Sequence, residues 1–327
     1  MATTEPRPAP QRVLLLGATG TIGRATASAL LARGHQVVAL VRPGQRAALP
    51  PGVLVREGDV CAPGVVAAVG LRGEPFDALL SCLASRSGLP ADAWAVDHRA
   101  QSQALHAAQQ AGVGRFVLLS AICVQRPRLA FQHAKLAFEA ELQASGLDWC
   151  IVRPTAFFKS LSGQVERLRR GQPFLLFGDG ALTACKPISD ADLGVYLTDC
   201  LSDTSRSRRI LPIGGPGPAI TPREQGELLF AALGRTPRFR AVPVALLDGI
   251  AGLLALAGRI APPLAAKAEL ARIGRYYATE SMLVWDAVAQ RYCAEATPST
   301  GRDTLAAHYA RLAAGTVQAG LGAHAVF

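Results

Sequence analysis

Over residues 12–153, short apolar runs alternate with longer stretches whose apolar positions recur every three to four residues. That rhythm belongs to a parallel sheet with helices packed on its faces. The runs at 13–16, 36–41, 53–56, 77–81, 116–120 and 150–152 predict strands, and 21–33, 63–69, 91–111 and 129–144 have the composition of the intervening helices. Right-handed crossovers between such strands give an α/β, doubly wound sheet whose ligand crevice lies beyond the carboxyl ends of the strands. Functional residues are therefore expected just after strands.

Past Pro154 the pattern shortens and mixes. It predicts a basic helix at 160–170, two hairpin-like strands around Gly178-Asp179-Gly180, and a helix opened by Ser189. Asp192, three residues on, completes a variant of the capping box, so Asp190 and Asp192 are read as structural. A Gly214-Gly215-Pro216-Gly217 turn, a helix from Thr221, an apolar helix at 244–257 and a final helix near 303–314 follow.

Half of the 327 residues are apolar, enough for a sizeable core, which excludes disorder for most of the chain. The longest apolar stretch, from Val242 to Leu264, is interrupted by Asp248 and Arg259, which leaves only Gly249 to Gly258 free of charge, well short of the ~18 residues that a membrane span requires. Its helix suits either packing within the protein or peripheral contact with a membrane surface. The 7 cysteines are scattered without a C-x-x-C pair, so no protein-bound metal or disulfide framework is expected. The formal charge of +10 favours an anionic partner. Nucleic acid is not expected as that partner, because the clusters Arg167, Arg169, Arg170 and Arg206, Arg208, Arg209 lack interleaved aromatic residues. Residues 1–11, with three prolines and no apolar segment, read as a disordered lead rather than a targeting peptide, which points to the cytoplasm.

Gly17-Ala18-Thr19-Gly20-Thr21-Ile22-Gly23 follows the first strand and opens a helix. Its glycines permit a tight turn and close approach, so that amide hydrogens meet a pyrophosphate. The G-x-x-G-x-x-G spacing is that of short-chain dehydrogenase-like proteins. After the second strand, where an NAD-binding chain places an acid against the ribose 2′-hydroxyl, this chain has Arg42, with Arg24 just past the last glycine. Arginines there suit a 2′-phosphate and favour NADPH. Asp59 after the third strand, as adenine ligand or helix cap, and Cys82 after the fourth complete the candidate cofactor set. Residues 12–154 thus form a Rossmann-type NADP-binding domain, and 155–327 a smaller substrate-side region, some of whose elements are free to return to the sheet.

Ser120 ends the fifth strand, and Lys135 stands fifteen residues later, where carbonyl reductases of this fold carry Tyr-x-x-x-Lys. The lysine suits nicotinamide ribose, but the tyrosine position holds Phe131, which has no proton to give. Alcohol–ketone chemistry loses its acid.

From Ser120 onward the chain resembles the NADPH-dependent divinyl chlorophyllide 8-vinyl reductases. The likeness is carried by Ser120-Ala121-Ile122-Cys123-Val124-Gln125, by Phe131-Gln132 with Lys135, by Arg153-Pro154-Thr155-Ala156-Phe157-Phe158-Lys159, by Cys185-Lys186-Pro187-Ile188-Ser189 and by Ile273-Gly274-Arg275-Tyr276-Tyr277-Ala278. The resemblance implies hydride transfer from NADPH to the 8-vinyl group of a divinyl chlorophyllide or protochlorophyllide, giving ethyl. A conjugated vinyl group accepts hydride because the macrocycle delocalises the charge, so the missing tyrosine is expected. On this resemblance Ser120, Lys135 and Lys159 are the catalytic candidates. Phe157 and Phe158 would stack on the ring, Lys159 would pair with its propionate or carry the proton, and Tyr276 would be a further substrate contact or proton source. Magnesium would arrive with the pigment. Absence of a long transit peptide implies a bacterial cytoplasmic form, with contact at the photosynthetic membrane the alternative. The rival readings are a non-catalytic NADP-binding redox sensor of the NmrA type and a photosystem or quinone assembly factor.

Overall fold

The computed structural model describes residues 9–46, 49–257 and 262–317. Strands β1 (Arg12–Leu16), β2 (Gln36–Val41), β3 (Leu54–Glu57), β4 (Ala78–Ser81), β5 (Arg115–Leu119) and β6 (Asp148–Pro154) form one parallel sheet, joined by β8 (Arg209–Ile213) at its far edge. The order is β3-β2-β1-β4-β5-β6-β8. Successive side chains of a strand point to opposite faces, and the core divides accordingly. Val13, Leu15, Val37, Ala39, Val117 and Val152 lie in one buried cluster, and Leu14, Leu16, Val38, Leu40, Leu118 and Ile151 in another. A sheet covered on both faces explains why its strands read as continuous apolar runs.

The helices are α1 (Thr21–Ala32), α2 (Pro90–Ala93), α3 (Gln101–Gln110), α4 (Ala130–Ala144), α5 (Phe158–Leu161), α6 (Val165–Arg169), α7 (Asp190–Asp199), α8 (Pro222–Ala232), α9 (Val244–Ala257), α10 (Pro262–Thr279) and α11 (Leu305–Ala313). A π-helical turn at Trp94–Ala100 bridges α2 and α3, so the stretch expected at 91–111 is one helical run of changing pitch. α1 and α7 cover one face of the sheet; α3 and α4 cover the other. The chain beyond Pro154 therefore returns to the sheet twice, through α7 and β8.

The remaining elements build a smaller cluster in which Phe158, Leu168, Phe174, Phe230 and Tyr309 pack together. Here two expectations fail. The hairpin around Gly178-Asp179-Gly180 does not form: β7 (Phe174–Phe177) pairs in parallel with β9 (Phe239–Val242), and the Gly178 amide donates to Val242. Both glycines have positive φ and do turn the chain, but the distant strand takes the edge that a hairpin arm would have used. The helix expected at 160–170 is two short ones, α5 and α6, and the Ser162 hydroxyl donates back to the Phe158 carbonyl at the break. A third small sheet joins β10 (Val284–Asp286) to β11 (Arg291–Cys293).

Capping at Ser189 is as the sequence predicts, and the helix expected from Thr221 gains a cap of its own. Ser189 Oγ accepts from the Asp192 amide at 3.0 Å, and Thr221 with Glu224 forms a reciprocal capping box on α8. Among the described residues no helix is long and apolar enough to cross a membrane.

Candidate cofactor and substrate site

The loop between β1 and α1 is shaped by what cannot fit there. Gly17 has a φ of 72°, and a Cβ on it would fall 2.5 Å from the Cys82 carbonyl. A Cβ on Gly23 would fall 2.1 Å from the Gly17 oxygen. Only glycine permits this packing of loop, helix and β4 terminus. The first turn of α1 holds no acidic side chain, so its unbonded amides present undiluted positive potential to an anion. Ile22 and Gly23 are buried beneath, and Arg24 is exposed, with its guanidinium donating to the Thr19 carbonyl at 2.6 Å. These residues fit a dinucleotide pyrophosphate.

Lys159 is brought to the same corner from the far side of the sheet. Its Nζ donates to Thr21 Oγ1 at 3.1 Å, at the opening of α1. Burial raises the Asp190 carboxyl from its ordinary range, and the cations Lys159 and Arg24 pull it back. The sequence assigned Lys159 to the pigment; its position adds a cation at the phosphate end of the cofactor groove.

Arg42 is exposed past β2, as is Asp59 past β3. Asp59 accepts from the Cys61 amide at 3.0 Å, closing a turn; it does not cap the helix that follows, Val66–Leu71, whose N-cap is Val65. Burial pushes the Cys61 thiol up, Asp59 and Asp92 push it further, and Arg42 and Arg99 oppose them, so these groups share one corner. The Cys82 thiol lies 3.9 Å from Thr26 Oγ1 and is pushed up to about 12 by desolvation, leaving it a neutral wall.

Ser120 and Lys135 come together with Asp97, Gln101, Leu118, Leu119 and Phe138 around a closely packed spot beside the end of β5, with no room for a water molecule. Their chemistry differs. The Ser120 hydroxyl donates to buried Glu139, which is in turn gripped by Arg153 through two nitrogens. It is a structural link between β5, α4 and β6, not a free hydroxyl. Lys135 Nζ instead meets the buried carboxylate of Asp97 at 2.9 Å. Asp97 was not among the residues singled out by the sequence; the signal for it would have been an acid in an apolar helix opposite a lysine of the next one.

Two substrate candidates turn out to be core. Phe158 is 3% exposed and packs against His308, with ring centroids 5.3 Å apart. Tyr276 is buried, its hydroxyl donating to the Cys123 carbonyl at 2.9 Å and the Arg126 carbonyl at 3.2 Å, and burial drives its phenol well above the ordinary range. Adjacent positions after a strand face opposite ways, which leaves Phe157, half-buried against the sheet cluster, as the aromatic of this pair open to a ligand. Phe131 is half-buried one turn before Lys135, beside Ile273 and Tyr276.

Comparison with known proteins agrees with this geometry. Residues 17–204 match an NAD(P)H-binding family. The chain is 48% identical over 320 residues to the chloroplastic divinyl chlorophyllide a 8-vinyl-reductase of Oryza sativa subsp. indica, covering 93% of this chain and 79% of that protein. It is 45% identical to the protein of the same name from Arabidopsis thaliana, covering 92% and 76%. In fold it is similar to the NADPH-dependent quinone oxidoreductase of Escherichia coli solved with NADPH, with a TM-score of 0.64 at 20% identity, over 92% of this chain and 99% of that one.

Proposed function

The chain belongs to the divinyl chlorophyllide a 8-vinyl reductase family, and from that premise we propose that it reduces the 8-vinyl group of a divinyl chlorophyllide to ethyl with a nicotinamide cofactor as reductant. The observation that carries the chemistry is the pair on α4. Lys135 stands beside the end of β5, while Phe131 occupies the place of a carbonyl-protonating tyrosine. A site that keeps its ribose ligand and lacks its phenol suits reduction of a carbon–carbon bond rather than of a ketone.

When bound, the cofactor supplies the hydride. The glycine loop, the open amides of α1 and Lys159 hold the pyrophosphate, and Lys135 holds the nicotinamide ribose. Arg42, with Arg24, favours the 2′-phosphate of NADPH over the bare hydroxyl of NADH. Phe157 offers a ring face to the macrocycle. Binding and orientation are the protein's main work here, since the macrocycle delocalises the charge that hydride addition creates. The exposed leucines of α9 support peripheral membrane contact, which would bring the protein to where an apolar pigment collects.

The test is incubation with divinyl chlorophyllide and NADPH, with divinyl protochlorophyllide in parallel. Vinyl reduction shifts the Soret band to the blue while NADPH is consumed, and Phe131→Tyr leaves the rate no higher. A divinyl spectrum that persists with NADPH untouched would overturn the reading.

A further inference from the structure

Two arginines of the loop between β5 and α4 share one acid. Glu280, just past α10, has a side chain only 6% exposed, and its carboxylate meets Arg126 Nη1 at 3.0 Å and Arg128 Nη1 at 2.9 Å. The Tyr292 hydroxyl donates to it as well, so the acid has a cation and a further donor without Arg128. Neither arginine pairs with another acid among the described residues, which leaves one positive charge uncompensated. Two guanidinium groups this close repel each other, and a second carboxylate would offset the repulsion.

The two arginines are held differently. Arg126 lies over Trp285, 4.1 Å from the ring centroid, and its carbonyl accepts from Tyr276. Arg128 has a side chain 48% exposed, and among the described residues its guanidinium meets Glu280 alone. Its amide donates to Gln132 Oε1 at 2.7 Å, so this exposed cation is presented from a fixed stretch of backbone. The loop leaves the carboxyl end of β5, where the ligand crevice of such a sheet opens, and leads into α4. Lys135 comes two helical turns after Arg128, on the order of 10 Å away.

We propose that Arg128, braced by Arg126, anchors the propionate carboxylate of the pigment. In a chlorophyllide that acid lies across the macrocycle from the 8-vinyl group, so its anchor must stand well away from the nicotinamide, as Arg128 stands away from Lys135. The guanidinium fork matches a carboxylate through two parallel hydrogen bonds. Lys159, the cation that the sequence offers for the same acid, is engaged at the opening of α1.

The inference rests on the pigment reading, and an ester separates the two. Quenching of tryptophan fluorescence reads the binding of divinyl chlorophyllide and of its propionate methyl ester, with NADPH absent. The unmodified protein should bind the free acid about tenfold or more tightly than the ester, as a charge-assisted pair implies. Arg128→Gln should abolish that difference by weakening the acid alone, and should raise KM for the acid about tenfold while kcat falls far less. Arg128→Lys, which keeps the charge without the fork, should recover part of the loss. Equal affinity for acid and ester in the unmodified protein would overturn the proposal and leave vinyl reduction standing. So would an Arg128→Gln protein that binds both forms more weakly by the same factor, the mark of a structural role. If Arg128→Gln fails to fold, the comparison of acid and ester in the unmodified protein decides alone. Binding of neither form would sink the pigment reading itself, and the anchor with it.

Discussion

A hydroxyl is useful to a ligand only if nothing inside the protein has claimed it. Ser120, Phe158 and Tyr276 all occupy positions where sequence spacing suggests chemistry, yet Glu139, the Phe174 and Tyr309 cluster and the Cys123 carbonyl claim them. Those partners lie far away in sequence or on the backbone, and only tertiary packing determines them. The glycine loop was legible because its requirement is local: absence of a Cβ at Gly17 and Gly23 is visible in the letters themselves. Arg42 was legible for a similar reason, since its place after β2 follows from the strand's end. It is exposed past β2, and its charge should therefore set cofactor preference. Arg42→Asp should lower kcat/KM for NADPH by the equivalent of about 1.5–3 kcal/mol while sparing NADH, the magnitude of one charge-assisted phosphate contact. The ratio of the two efficiencies measures it, and equal efficiency in the unmodified protein would remove the premise.

The elements of the sheet were read nearly in register because burial on both faces leaves an unmistakable apolar run, and boundaries moved by only a residue or two. The elements beyond Pro154 were less legible. β7 finds its neighbour in β9, more than sixty residues on, and a hairpin expectation drawn from two glycines has no access to such a pairing. α7 shows what this region does for the site. Its first residue, Asp190, sits near Lys159, and its Gly194 presses on α1 so closely that a Cβ would come within 2.7 Å of the Ala25 carbonyl carbon. Helix backbones meeting this closely leave no room for even a methyl group. Gly194→Ala should therefore push α7 off the nucleotide helix, costing roughly 1–3 kcal/mol of stability. Urea titrations with and without NADPH check this: a lowered midpoint is expected in both, with a larger deficit when the cofactor is present, because the displaced nucleotide helix binds it less tightly. An unchanged midpoint would mean that α1 and α7 shift apart freely and that the cofactor groove is not braced from this side.

At the scale of the whole molecule, the net charge of +10 favours an anionic partner, and the apolar helix of the sequence offers it an exposed face. α9 lies against α10, where Arg275 pairs with Asp248, but Leu246, Ile250, Leu253 and Leu256 remain exposed, Leu253 by 71%. The spacing of these four puts them along one side of the helix, and exposed Arg238, just before β9, and Arg240, on it, precede the helix. An apolar stripe preceded by arginines is suited to lie in the headgroup region of an anionic bilayer without spanning it. The attraction between basic side chains and an anionic surface fades over a Debye length of about 8 Å at physiological salt, so binding of this kind must weaken as salt rises. The protein should sediment with vesicles of phosphatidylglycerol and phosphatidylcholine at low salt and be released as salt increases. Pure phosphatidylcholine should retain much less of it. Leu253→Glu should reduce binding severalfold while leaving NADPH affinity intact, because α9 contributes no residue to the cofactor groove. Retention in the supernatant with anionic vesicles even at low salt would show that the leucine face does not meet lipid, and pigment would then have to be handed over in solution or by another protein.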